Sequence, residues 1–172
     1  KLPNNVEGKQ IISATSVGIK IWDIELGECV KTIKDDIIRS YSTEISNDGR
    51  YVIYASTYDY GIKIWDLLEE KCIHHIERNY NWINYISISP DSKQFIVADD
   101  DIELWDIEKG SCIKKYNIKS QLYSYTSAVF SPDGTKIAST DSGRVIRIWD
   151  INTGECIESY NCFTDVSNVM FC

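Results

Sequence analysis

Short apolar runs, four to seven residues long, recur along the whole chain, separated by polar clusters rich in Gly, Asn, Asp and Ser. The runs are too short for ordinary helices and are built largely from Ile, Val, Tyr and Trp, so they read as strands. Residues 9–15, 19–24 and 29–33 form a first group, turned at Gly18 and Gly27. Three groups of four follow: 43–46, 51–56, 61–67 and 71–76; then 85–89, 94–98, 102–107 and 112–116; then 127–131, 136–140, 145–151 and 155–160. Residues 166–172 read as one further strand. Within each group the apolar residues occupy both parities, as expected for sheets covered on both faces. The polar clusters carry turn chemistry. Ser46-Asn47-Asp48-Gly49 and Ser131-Pro132-Asp133-Gly134 suit tight hairpins, with Asp bonding locally and Gly free to take positive φ. Ser89-Pro90-Asp91-Ser92 is the same turn with Ser in place of Gly.

The groups share a phrase. Trp22-Asp23, Trp65-Asp66, Trp105-Asp106 and Trp149-Asp150 each end a strand, at spacings of 43, 40 and 44 residues. A Cys follows each Trp by seven residues: Cys29, Cys72, Cys112 and Cys156. A Trp-Asp pair repeating at this period resembles the WD40 repeat, which builds β-propeller blades of four strands, A to D from the inside outwards. The resemblance implies an all-β fold and one propeller segment over 1–172. Blade 1 has strands B to D at 9–33. Blade 2 covers 43–76, blade 3 covers 85–116 and blade 4 covers 127–160, with an extra strand A at 166–172. About four blades are expected, as part of a larger propeller.

In that family the Trp fills the space between blades. Its indole is held by a strand-B Ser or Thr, an Asp of the B–C turn and a His of a Gly-His pair. Thr15, Thr57 and Thr140 are the matching hydroxyls, and Asp59, Asp99 and Asp141 the matching acids, with Ser16 in the first blade. This chain departs from the pattern: its two His residues, His74 and His75, fall in a strand D, and no Gly-His pair exists. Tyr41, Tyr85 and Tyr125, which border strand A, either replace the missing His by packing inward or belong to the loop face. Lys20, Lys63, Glu103 and Arg147, two residues before each Trp, place a charge on a packed face, where only long stems reaching solvent would carry it.

Composition narrows the function. The chain has 27 Ile against 9 Val and 6 Leu, and a net charge of −8, with its 18 Lys and Arg scattered rather than striped. That distribution argues against nucleic-acid binding and favours basic peptides over acidic ones. No run approaches the length of a membrane span, and no secretory leader opens the chain. The repeat cysteines sit too far from one another to bridge and are expected as small buried hydrophobes in a reduced, intracellular protein, in the cytoplasm or nucleus.

No catalytic set is expected. His74 and His75 are consecutive and point to opposite faces, the cysteines are dispersed, and Asp99-Asp100-Asp101 reads as a solvated turn, so neither a metal nor a cofactor is implied. The informative surface is the face carrying the D–A and B–C connections, where Tyr58, Tyr60, Tyr80, Trp82, Asp100, Tyr123 and Arg144 are the candidate partner-binding residues, with Phe163 in the last connection. The function implied is a non-catalytic interaction scaffold for a protein or peptide. The alternative is an architectural segment whose faces pair with further blades or a second copy.

Overall fold

The computed structural model describes residues 10–15, 17–35, 40–56, 61–78, 83–116 and 123–172. Among these, fifteen strands form antiparallel sheets in sequence order. Three strands make the first sheet: β1 (Gln10–Thr15), β2 (Gly18–Asp23) and β3 (Glu28–Lys34). The second sheet runs β4 (Ser40–Ile45), β5 (Tyr51–Ser56), β6 (Gly61–Asp66) and β7 (Lys71–Glu77). The third is β8 (Tyr85–Ile88), β9 (Gln94–Ala98), β10 (Ile102–Asp106) and β11 (Ser111–Tyr116). The fourth is β12 (Tyr125–Phe130), β13 (Lys136–Asp141), β14 (Val145–Asp150) and β15 (Cys156–Asn161). The strand ends lie within three residues of those expected from the sequence. The chain divides into two compact units, 1–80 and 81–172, each holding two blades.

Each unit buries its own core between its blades. In the first, Ile19, Ile21 and Ile33 pack with Val52, Tyr54, Trp65 and Leu67. In the second, Ile102, Leu104 and Tyr116 pack with Tyr125, Ala128, Ile137 and Trp149. Strand β5 is buried at all six positions, which is why its sequence shows no alternation.

The A–B turns share one geometry. In blade 4, Gly134 N–H bonds to Ser131 O at 2.8 Å, and Ser131 Oγ donates to Asp133 at 2.5 Å while accepting Lys136 N–H at 2.9 Å. Ser46 and Ser89 make the same bonds to Tyr51 and Gln94 N–H at 2.8 and 2.9 Å. Gly134 has φ +69°, and Ser92 takes the same left-handed position at φ +60° without the freedom of Gly.

The Trp-Asp Asp residues cap the next turn. Asp23 Oδ1 accepts the N–H groups of Glu25 and Leu26, and Asp150 Oδ1 that of Thr153 at 2.8 Å. The local bonds hold the Asp106 and Asp150 carboxyls below their ordinary pKa, the first through Lys109 N–H and the second through Thr153 N–H.

The structure corrects three expectations. Residues 166–172 form no strand: an inner strand pairs only with strand B of its own blade. The cysteines are not buried: Cys29, Cys72 and Cys112 are exposed and Cys156 is half-buried. Each stands opposite its Trp where the C–D register shifts, leaving Val30, Ile73, Ile113 or Ile157 as the extra residue on the outer strand. The thiol spans the bulge, as in Cys29 Sγ to Lys31 O at 3.3 Å and Cys156 Sγ to Glu158 O at 3.3 Å. An outermost strand carries no neighbour beyond it, so its repeat positions stay wet. The third correction concerns the strand-B hydroxyls. Thr15 bonds Gly18 O and Thr140 bonds Thr126, whereas Ser13, two residues before Thr15 on the same face, and Ser139, one residue before Thr140 on the other face, accept the indole N–H groups. Thr57 lies outside the described residues.

Candidate binding face

The charges two residues before each Trp set the frame on which the loops stand. The residue opposite them on strand B decides how each indole is held. In blades 1 and 4 that residue is Ser13 or Ser139, paired with Lys20 or Arg147. There Trp22 Nε1 donates to Ser13 Oγ at 2.9 Å and Trp149 Nε1 to Ser139 Oγ at 2.8 Å. The cation is then free for another task. Lys20 Nζ lies 5.6 Å from the Trp22 ring centroid, and Arg147 pairs with the buried carboxylate of Asp141 in the B–C turn.

In blades 2 and 3 strand B offers Tyr54 or Val97 instead. Trp65 Nε1 donates to Asp35 Oδ2 at 3.0 Å, and Lys63 Nζ to Asp35 Oδ1 at 3.0 Å. The Tyr54 hydroxyl donates to the same carboxylate. Burial alone would raise the Asp35 pKa, but the bonds from Tyr54, Lys63 and Trp65 outweigh it and hold the group below its ordinary value. Val97 cannot accept a hydrogen bond, and in that blade the residue two before Trp is an acid: Trp105 Nε1 donates to Glu103 Oε2 at 3.1 Å, and Lys115 pairs with Glu103 Oε1 at 2.6 Å. The sign reversal at Glu103 thus follows from the loss of the strand-B hydroxyl.

Tyr125 packs inward. It is fully buried, edge-on to Trp149 at a centroid distance of 6.4 Å. Tyr85 is half-buried against the same core. The Tyr41 side chain lies outside the described residues.

In the second unit the connections meet on one face. Tyr125 N–H bonds to Asp99 O at 2.6 Å, tying the connection into blade 4 to the B–C turn of blade 3. Ser142 N–H bonds to Ser124 O at 3.0 Å, tying the same connection to the B–C turn of blade 4. Ser124 Oγ donates to Asp100 Oδ1 at 2.7 Å. The Tyr123 ring lies over Gly143, where a Cβ would stand 2.5 Å from Tyr123 Cδ2, so any larger residue there would push the ring aside. Arg144, at φ +67°, pairs with Asp165 at 2.7 Å, and its carbonyl accepts Cys162 N–H at 2.8 Å.

Of the candidate residues, the structure therefore brings Asp100, Tyr123 and Arg144 onto one surface, joined by Ser124, Gly143 and Asp165. Tyr123 is 54% exposed, and Phe163, in the next connection, 99%. Tyr58, Tyr60, Tyr80 and Trp82 lie outside the described residues. Ser124 and Asp165 were not singled out from sequence, because only the folding of three connections onto one face gives them partners there.

Asp99 is buried, with its carboxylate accepting Asp101 N–H at 3.1 Å, while Asp100 faces Ser124. Consecutive acids thus diverge, and among the described residues no group of His, Cys, Asp and Glu converges as a metal requires. His74 and His75 pair with Ile64 and Lys63 on the outer strand of blade 2. No curated protein matches the chain. The family model described as WD domain, G-beta repeat matches residues 27–66 and 110–150, each match running from a C–D turn glycine to the Asp of the next Trp-Asp pair.

Proposed function

We propose that the chain, whose residues 27–66 and 110–150 match the WD40 repeat, is a non-catalytic scaffold that binds a protein or peptide through its D–A and B–C connections. WD40 repeats generally mediate protein–protein interaction, and the family is generally a scaffold rather than a catalyst. The observation that carries the reading is the surface of Asp100, Tyr123 and Arg144. It sets an exposed ring between a carboxylate and a guanidinium, on loops tied to rigid sheets by backbone bonds. The partner we propose is a basic peptide segment. With a net charge of −8, and Asp100 bonded to Ser124 beside Tyr123, the face favours Lys or Arg stems lying on the ring with their heads at the acid. The six free cysteines fit a reducing compartment, so we place the protein inside the cell.

Peptide arrays of matched basic and acidic sequences, probed with the full chain, test this. Basic peptides should be retained, less so at high salt. Tyr123→Ala and Asp100→Asn should each weaken retention by about tenfold, equivalent to about 1.4 kcal/mol. Equal retention of acidic peptides, or indifference to both substitutions, would remove this face as the site.

A further inference from the structure

The B–C turn of blade 4 carries an arginine where its backbone suits glycine. Arg144 sits at φ +67°, in the left-handed region that an L side chain enters only with backbone strain. Glycine takes that φ freely, as Gly134 does at +69° in the A–B turn of the same blade. The B–C turn has a glycine, but one residue earlier. The φ of Gly143 lies outside the left-handed region, and its missing Cβ makes room for the Tyr123 ring. The turn thus gives its glycine to the ring and keeps a strained arginine beside it.

The strained residue is held from beneath. Asp141, 1% exposed, accepts Arg144 N–H on its carbonyl at 3.1 Å and Val145 N–H on Oδ1 at 3.0 Å. Its other carboxylate oxygen takes the Arg147 guanidinium. A turn fixed in this way presents the Arg144 side chain with little left to order. That side chain is 53% exposed, and Asp165, 86% exposed, meets its Nε at 2.7 Å. An ion pair this open to water is weak, so another carboxylate can replace Asp165 with little loss. Charge singles out the same point. The stretches 99–101, 123–124, 141–144 and 162–165 hold five aspartates, and Arg144 is their only cation.

We infer that Arg144 is an acid-reading subsite of this face, and that Asp165 fills it in the free protein as an intramolecular stand-in for a carboxylate of the bound segment. The segment then carries a Lys or Arg for Asp100 and an Asp or Glu for Arg144. Binding exchanges one exposed ion pair for another and adds the ring contact at Tyr123. An all-basic segment would set a cation against Arg144, and that like-charge contact gives the site its discrimination. The inference rests on the loop-face reading and adds to it the sign of one further contact.

Fluorescence anisotropy tests it with the full chain and a short Lys-rich peptide in which a single Glu, or a Gln in its place, is walked along the sequence. At one register the Glu peptide should bind about tenfold more tightly than its Gln counterpart. Arg144→Gly suits the left-handed turn, so the variant folds, and it should erase that difference. Asp165→Asn should widen the difference about threefold by removing the competing carboxylate. A Glu preference that survives Arg144→Gly would overturn the inference. So would a preference that is unchanged or lost in Asp165→Asn, since the pair would then shape the turn rather than occupy a subsite. Lys-rich peptides that bind and are weakened by Tyr123→Ala, with no register favouring Glu, would overturn this inference alone. Absence of binding by every peptide, or binding that Tyr123→Ala leaves intact, would remove the loop-face reading and this inference with it.

Discussion

Trp105 donates its indole N–H to Glu103, two residues before it on the same strand, at 3.1 Å. In blades 1 and 4 the indole instead reaches across to a strand-B serine, and the residue at the Glu103 position is a cation. Acceptor and charge are exchanged together: without a hydroxyl opposite, the strand must supply the acceptor itself.

Glu103→Lys should therefore destabilise the protein by about 2–3 kcal/mol, since it removes the indole acceptor and sets two cations at the Lys115 pair. Adding Val97→Ser, which restores the hydroxyl, should recover about 1 kcal/mol. Urea midpoints of the two variants and the parent check this. Equal loss in single and double variants would show that the hydroxyl and the acid do not share one role.

Asp35 predicts the acid limb of stability. Its pKa is lowered on folding from an ordinary 3.8, so it binds fewer protons folded than unfolded through that range. Its contribution is complete above pH 3.8 and is lost as pH falls through the folded value. The lowered carboxyls of Asp66, Asp106 and Asp150 act in the same direction, as does Asp133, held at about 2 by Ser131 and Thr135. Stability should be flat across neutral pH and drop steeply from about pH 4 towards pH 2. Asp35→Asn should lower stability at pH 7 by about 2 kcal/mol and make that drop shallower. Urea midpoints measured against pH decide it; an unchanged slope in the variant would detach Asp35 from the acid transition.

The cysteines should label unequally. Cys29, Cys112 and Cys172 are exposed and should react with a thiol reagent in the native protein. Desolvation raises the Cys72 thiol pKa although the residue as a whole is exposed. Desolvation raises Cys156 likewise. These two should react more slowly at pH 8 and catch up on denaturation. Mass spectrometry of the partly labelled protein reads the order, and a uniform rate would contradict the unequal desolvation of the thiols.

Trp149 and Tyr123 should separate stability from binding. Trp149 is 1% exposed, and Trp149→Ala should cost about 3–5 kcal/mol. Tyr123→Ala should leave the melting temperature within a few degrees of the parent while weakening peptide retention. Melting curves beside the array assay distinguish the two, and a large melting shift for Tyr123→Ala would make it a packing residue.

The sequence by itself determined what is local. The Ser-x-Asp-Gly turns, the Asp after each Trp and the apolar strands all form bonds or burial patterns within a few residues, so the blades and their order could be read from the chain. Only the tertiary structure decided what depends on partners across sheets. Asp35 serves a Trp thirty residues away, which spacing cannot announce. Ser139 rather than Thr140 meets Trp149, because antiparallel register places Ser139 opposite Arg147 on the indole's side of the sheet, a difference of one residue that reverses the face. The cysteines are apolar by composition and wet by position, since a bulge on an outermost strand has nothing packed beyond it. Tyr116 and Tyr160 hold the same place in the repeat, and what separates a buried ring from an exposed one is whether another blade lies against it.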